Sequence, residues 1–159
     1  MNQKNLARWL KCIFAIVGVG GLLVYTVVIP LYGVQLRAAY PEFSHRFLPW
    51  LLFLWVSGVP CFVVLGFAWK MATNIGQDQS FSLQNVRLLK WTSVLAAADA
   101  GFFFVGNVLL FLLNMSHPSV ALLSLGVVFV GIAVAVVAAV LSHLVQKAAV
   151  LQEQSDWTI

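Results

Sequence analysis

KMATNIGQDQSFSLQNVRLLK, residues 70–90, is the longest polar stretch in an otherwise apolar chain of 159 residues. Two long hydrophobic runs precede this stretch and two follow it, which predicts two membrane hairpins joined by one loop. Inside the stretch, Ser82 is a good helix N-cap, because its hydroxyl can accept a hydrogen bond from an amide of the first turn. Phe81 and Val86 occupy the N′ and N4 positions of a hydrophobic staple. We therefore expect a helix to begin at Ser82 and to continue as the third membrane span.

The composition indicates that lipid is the solvent for most of the chain. Hydrophobic residues make up 62% and charged residues only 9%, whereas a soluble domain carries about 25% charged residues. The mean hydropathy is +0.95. The net charge of +4 comes from residues near the ends of the hydrophobic runs, which favours a membrane surface over a nucleic-acid footprint.

Four spans are predicted, at about residues 12–34, 47–69, 91–113 and 120–143, because a membrane helix needs about 20 apolar residues. The fold class is therefore an all-α integral membrane protein, a single domain 1–159 built as a four-helix up-down bundle. Residues 35–46 are predicted to form an outer segment at the headgroups, residues 70–90 the central loop and residues 144–159 a tail. Pro30 predicts a kink or fraying near the outer end of the first span.

The distribution of basic residues predicts the orientation. Cytoplasmic connections of membrane proteins carry an excess of Lys and Arg. Only Arg37 and Arg46 fall on one side of the predicted spans. The others fall on the opposite side: Lys4, Arg8, Lys11, Lys70, Arg87, Lys90 and Lys147. Both termini and the central loop are therefore expected in the cytosol, with the protein in the bacterial cytoplasmic (inner) membrane.

Asp99 is the single carboxylate inside a predicted span, and Asn107 lies two turns further on. Charge inside a membrane is costly, so Asp99 is a candidate proton, cation or amine site. The alternative is a neutral or hydrogen-bonded Asp99 that holds helices together. Residue counting from the inner boundary places Pro60 and Cys61 at about the depth of Asp99. Asn107 is expected to form a hydrogen bond between helices.

No pattern in the sequence predicts catalysis, a cofactor or a metal. His45 and His117 belong to the outer side and His143 to the inner end of the fourth span, whereas a metal needs several ligands at one point. Cys12 and Cys61 lie at different depths, so a disulfide between them is not expected. Nucleophile motifs, phosphate-binding loops and paired carboxylates are all missing from the sequence, which argues against an enzyme.

Two stretches resemble the DUF2975 family of membrane proteins. QSFSLQNVRLLK, residues 79–90, is similar to the family element "pF-S-x-x-N-x-x-x-L-r", and LQEQSDWTI, residues 151–159, is similar to its acidic ending "D-L-T-I", with Trp157 in place of the usual Leu. The resemblance implies a four-span layout. It also implies a partner, because members of this family are often encoded beside a small helix-turn-helix regulator. It brings no catalytic or ligand-binding residues.

The leading hypothesis is a non-enzymatic regulatory membrane protein that binds or sequesters such a regulator without contacting nucleic acid itself. The N-terminal segment, the central loop and the tail are expected to meet at the inner face of the membrane. The candidate partner-binding residues there are Phe81, Ser82, Asn85, Arg87, Trp157 and Ile159. Trp157 has an alternative role, resting at the lipid headgroups. The alternative functions are a small transporter or channel-like protein that uses Asp99 and an accessory subunit of a membrane complex; homo-oligomerisation is left open.

Overall fold

The structure, a computed structural model, describes residues 2–39, 41, 47–116 and 118–156, without the side chains of residues 36, 39, 119, 155 and 156. Four long helices account for nearly all of these residues. The first span consists of α1 (Gln3–Leu23), a π-helical turn (Val24–Val28) and α2 (Ile29–Ala39) in one continuous helix. α3 (Phe47–Gly76), α4 (Leu83–Leu112) and α5 (Pro118–Asp156) follow. Each of the four is long and apolar enough to cross a membrane, which confirms the all-α, four-span prediction.

The helices extend beyond the predicted spans, so the connections are shorter than expected. α3 continues to Gly76 and α4 begins at Leu83, which leaves only residues 77–82 between them. α2 continues to Ala39, so the predicted outer segment 35–46 begins as helix, and its residues 40 and 42–46 lie outside the described part. The first span does not fray at Pro30, because the π-helical turn lets the helix continue through it.

Consecutive helices pack antiparallel, as the up-down prediction requires. Gly76 meets Ala7 at one end of the first hairpin, and Gly33 meets Phe47 at the other. In the second hairpin, the hydroxyl of Ser142 donates a hydrogen bond of 3.4 Å to the carbonyl of Val86. We call the end that contains α1's first residues and residues 77–82 the loop end, and the opposite end the far end.

The four helices pack in chain order and leave one side open. The first span packs on α3, α3 on α4, and α4 on α5, and the α4–α5 pairing is the most extensive. No comparable pairing joins α1 to α5 among the described residues. Because α1 and α5 do not close the ring, side chains between α3 and α4 remain reachable from the open side.

Small residues permit the close approaches between helices. Gly106 lies under the ring of Phe53, and a Cβ at Gly131 would lie 3.0 Å from the Cβ of Ala100. Many of the buried side chains lie toward the loop end. These are Ala7, Ala72, Asn74, Asn85, Val86, Leu88, Thr92 and Ser142. The helices are therefore held together most firmly at the end where the polar loop lies.

Candidate functional sites

The helix predicted to begin at Ser82 does so, and Ser82 is its N-cap. Ser82 has extended backbone angles (φ −99°, ψ 149°), and its hydroxyl accepts a hydrogen bond of 3.3 Å from the amide of Asn85. The two residues of the predicted hydrophobic staple differ in exposure: Val86 is buried, whereas Phe81 is 54% exposed. The first turn of α4 is therefore capped by Ser82, and the ring of Phe81 lies on the surface next to it.

Two buried asparagines fasten the loop between α3 and α4. The Nδ2 of Asn74 donates to the Oδ1 of Asn85 over 2.7 Å and to the Oε1 of Gln84 over 3.2 Å. The Nδ2 of Asn85 in turn donates to the carbonyls of Gln79 (3.1 Å) and Ser80 (3.0 Å). Asn74 and Asn85 are only 6% and 4% exposed. Buried amides with several partners define one loop conformation, because an unpaired buried amide is costly.

The bonds of Asn74 and Asn85 hold the six-residue loop 77–82 in one conformation. Asp78 adopts a left-handed backbone conformation (φ 59°), which Asp tolerates better than most residues. The amides of Gln77 and Gln79 both bond to the carbonyl of Asn74 and so close off the end of α3. The sequence made Asn85 a candidate partner-binding residue. In the structure its side chain is buried and bonds to the loop, whose shape it defines.

The N-terminal residues lie beside this loop, so two of the three segments that were expected to meet do so. The hydroxyl of Ser80 donates to the Oε1 of Gln3 over 3.4 Å. Ala7 is buried against Gly76, where a Cβ on the glycine would lie 3.0 Å from the Cβ of Ala7. The start of α1 and the α3–α4 loop therefore form one surface.

Exposed basic and apolar side chains follow the loop along one face of α4. Arg87 is exposed, and its neighbours at helical spacing, Leu83 and Trp91, are 64% and 54% exposed. With Phe81 and the exposed Lys90, they make up what we call the basic–apolar patch. Of the six candidate partner-binding residues, Phe81 and Arg87 belong to this patch, Ser82 and Asn85 shape the loop beneath it, and Trp157 and Ile159 lie outside the described residues.

The fourth helix projects past the loop end. Ser142 is level with Val86, near the start of α4, and α5 continues for 14 more residues to Asp156. At 1.5 Å per residue, that extension is about 21 Å long. Leu144 and Leu151 are exposed on it. The predicted tail, residues 144–159, is therefore helical through residue 156.

Asp99, the second candidate site, lies on α4 and faces Cys61 on α3. The Sγ of Cys61 is 3.9 Å from the Oδ2 of Asp99, which confirms that the two residues have the same depth. The other carboxylate oxygen, Oδ1, is buried and has no hydrogen-bond partner among the described residues. Asp99 is half-buried and Cys61 is exposed.

The first span contributes a tyrosine to this site through its π-helical turn. The ring of Tyr25 packs on Gly58, where a Cβ would lie 2.8 Å from the Cε1 of the ring. Ser57 precedes Gly58 on α3 and lies one helical turn before Cys61, so the Tyr25 ring packs on the turn of α3 next to Cys61. Tyr25, Ser57, Cys61 and Asp99 therefore form what we call the intramembrane polar site. The sequence analysis did not single out Tyr25 or Ser57. A signal for Tyr25 was present, because Pro30, five residues later, predicts an irregular helical turn.

Asn107 is buried on α4, and its Nδ2 donates to the carbonyl of Phe103 over 2.8 Å. This bond lies within α4, whereas the sequence led us to expect one between helices.

Neither Cys12 nor Cys61 forms a disulfide. Among residues 2–39, 41, 47–116 and 118–156, no three His, Cys, Asp or Glu side chains gather as metal ligands.

Comparison with known proteins places the chain in a family without an assigned activity. Residues 31–159 match the family described as "Protein of unknown function (DUF2975)". The chain is 24% identical over 161 residues to "Uncharacterized membrane protein YoaS" of Bacillus subtilis (strain 168), with all of both chains covered. No solved structure matches. The helix-start element of residues 79–90 lies within the matched region. The chain is therefore a membrane protein of the DUF2975 family.

Proposed function

We propose that this protein is a non-enzymatic regulatory protein of the bacterial cytoplasmic membrane that holds a small cytosolic protein at its loop end. The observation that carries the proposal is the pair of buried asparagines, Asn74 and Asn85, which hold an exposed loop in one conformation. Their four side-chain bonds fix the shape of the loop, so the exposed residues beside it are presented in a defined arrangement.

The basic–apolar patch has the composition of a binding surface. Aromatic and Arg side chains dominate the energy of many protein interfaces, and Phe81, Arg87 and Trp91 are all exposed here. Because the loop is already ordered, binding costs less conformational entropy than it would with a mobile loop. The exposed face of the α5 extension lies at the same end of the protein and supplies further area.

The resemblance described above indicates the class of partner. Members of the family are often encoded beside a small helix-turn-helix regulator, and basic residues on the same side predict a cytosolic loop end. Holding such a regulator at the membrane would keep it from its DNA sites. The chain would act through protein contacts alone and would need neither a cofactor nor contact with nucleic acid.

Co-purification from solubilised membranes of the native bacterium tests the proposal. The full-length chain is expected to recover a small helix-turn-helix protein in about equal amount. Phe81→Ala and deletion of residues 155–159 should each lower the recovery several-fold. Leu113→Ala, which shortens an equally exposed apolar side chain at the far end, is the control and should leave recovery unchanged. Equal recovery with all four proteins would rule out the loop end as the binding surface.

The same experiment separates this proposal from two alternatives. If the recovered partner is instead a large integral membrane protein, the chain is an accessory subunit of a complex. If Phe81 and Trp91 only anchor the loop end at the headgroups, their replacement changes membrane position and not partner recovery.

A small transporter or channel-like activity is the second candidate function, and one observation favours it. A carboxylate inside the membrane, with a buried oxygen that lacks a partner among the described residues, is unusual for a purely structural residue. Uptake into liposomes that contain the purified protein, compared with the Asp99→Asn variant, tests this candidate.

A further inference from the structure

We propose that the intramembrane polar site binds an ammonium group, with the Asp99 carboxylate as its counter-ion. This inference deepens the second candidate function by naming the class of ligand. It concerns binding only, so it does not require the bound group to cross the membrane.

The charge of Asp99 has no counter-ion within the spans. No Lys or Arg occurs between residues 12 and 36, 47 and 69, or 91 and 146. On its own helix the nearest basic residue is Lys90, nine residues away, which is about 14 Å along the helix axis. A carboxyl group at this depth is either neutral or paired with a positive group, because an uncompensated charge in lipid costs several kcal/mol. The chain does not supply that partner from the same depth.

The hydrogen-bonding groups of the site suit a donor with several N–H groups. The Oδ1 of Asp99 is buried without a partner among the described residues, and Oδ2 meets only the weak donor of Cys61 at 3.9 Å. An ammonium group has three N–H donors and no acceptor. It could supply the Asp99 carboxylate with a charged donor, where the described residues offer only the weak thiol donor of Cys61.

Other classes of ligand fit less well. Ca²⁺ and Mg²⁺ take about six oxygen ligands, several of them carboxylates, whereas this site has one carboxylate. An anion would be repelled by Asp99.

The site can be reached from outside the protein. Cys61 is exposed and Asp99 is half-buried, so both residues lie at the protein surface. The thiol of Cys61 therefore reports on occupancy, since a ligand bound to Oδ2 would lie beside the sulfur.

The experiment measures alkylation of Cys61 by N-ethylmaleimide in a Cys12→Ala background, where Cys61 is the single thiol. The probe is n-propylammonium chloride, and potassium chloride at the same concentration is the reference. At about ten times its Kd the probe leaves roughly a tenth of the sites free, so alkylation should slow about ten-fold. Asp99→Asn should abolish this protection.

Asp78→Asn is the matched control, because it removes one carboxylate from the loop at a left-handed position that Asn tolerates. It should keep the full protection. A rise in the thermal unfolding temperature with propylammonium, absent with potassium, is the second measurement and does not depend on thiol chemistry. Size-exclusion chromatography checks that Asp99→Asn is folded.

A second probe distinguishes a free amine from a protein partner. It is a leucine-rich membrane-spanning peptide with one central lysine, and the same peptide with leucine in that position is its control. Protection by propylammonium assigns the site to a small amine, whereas protection by the lysine peptide alone assigns it to the lysine of a partner helix. If neither probe protects Cys61 more than its reference does, the site does not bind ammonium groups and the inference is wrong.

Discussion

The indole Nε1 of Trp55 on α3 donates a hydrogen bond of 3.1 Å to the backbone carbonyl of Tyr25 in the first span. The π-helical turn explains why this carbonyl is free. The amide of Ile29 bonds to the carbonyl of Val24, five residues earlier. In the same register, the carbonyl of Tyr25 would accept from residue 30, which is Pro30 and has no N–H. Trp55 thus supplies the donor that the helix lacks.

Replacing Trp55 by Phe should destabilise the protein, because it leaves the carbonyl of Tyr25 without a donor inside the membrane. Hydrogen bonds between membrane helices contribute about 0.6–2 kcal/mol, and we expect a loss in this range. Equilibrium unfolding by sodium dodecyl sulfate in mixed micelles measures it. Trp91→Phe, at an exposed position, is the control. Equal stability of the two variants would show that the indole bond does not stabilise the first hairpin.

Gly58→Ala should loosen the contact between the first span and α3. The added Cβ would lie 2.8 Å from a ring carbon of Tyr25, so the ring must move. Overpacking of this kind costs about 1–3 kcal/mol. Gly66→Ala, on the same helix with no atom within 4 Å of its new Cβ, should instead be neutral or stabilise by about 0.5–1 kcal/mol. The prediction fails if the two alanines change the free energy of unfolding by the same amount.

Asn85→Ala should release the α3–α4 loop. The substitution removes the acceptor of Asn74 and the donor to the carbonyls of Gln79 and Ser80. Each buried group left unpaired costs about 1–3 kcal/mol. We expect lower stability and faster hydrogen exchange in residues 77–82. Gln84→Ala, which removes one longer bond from an exposed side chain, should have a smaller effect. Unchanged exchange in Asn85→Ala would show that Asn85 does not hold the loop.

The orientation of the protein is tested by thiol labelling in intact cells. In a background with Cys12 and Cys61 replaced by Ala, a cysteine at Gln77 should be protected from an impermeant reagent. A cysteine at Leu113, which is exposed at the far end, should react. The physical reason is the excess of Lys and Arg on the loop side. External labelling at Gln77 would reverse the predicted topology.

The all-helical fold, the four spans and the helix start at Ser82 follow from the sequence alone. These features depend on local or additive properties. A run of about 20 apolar residues must be helical in lipid, because every backbone amide needs a partner within the same segment. An N-cap depends on residues only three apart, as with Ser82 and Asn85. Residue counting was also enough to place Cys61 level with Asp99, because the rise per residue of a helix is constant.

The side-chain partners were decided by the tertiary structure. Asn85 was a candidate partner-binding residue as part of the helix-start element, but in the structure its amide is buried and bonds to Asn74. Tyr25 lies in the π-helical turn of the first span, and its ring packs on α3 where Gly58 leaves room for it. Rotation about a helix axis and the choice of neighbours depend on packing between residues distant in sequence, which a hydropathy pattern does not record.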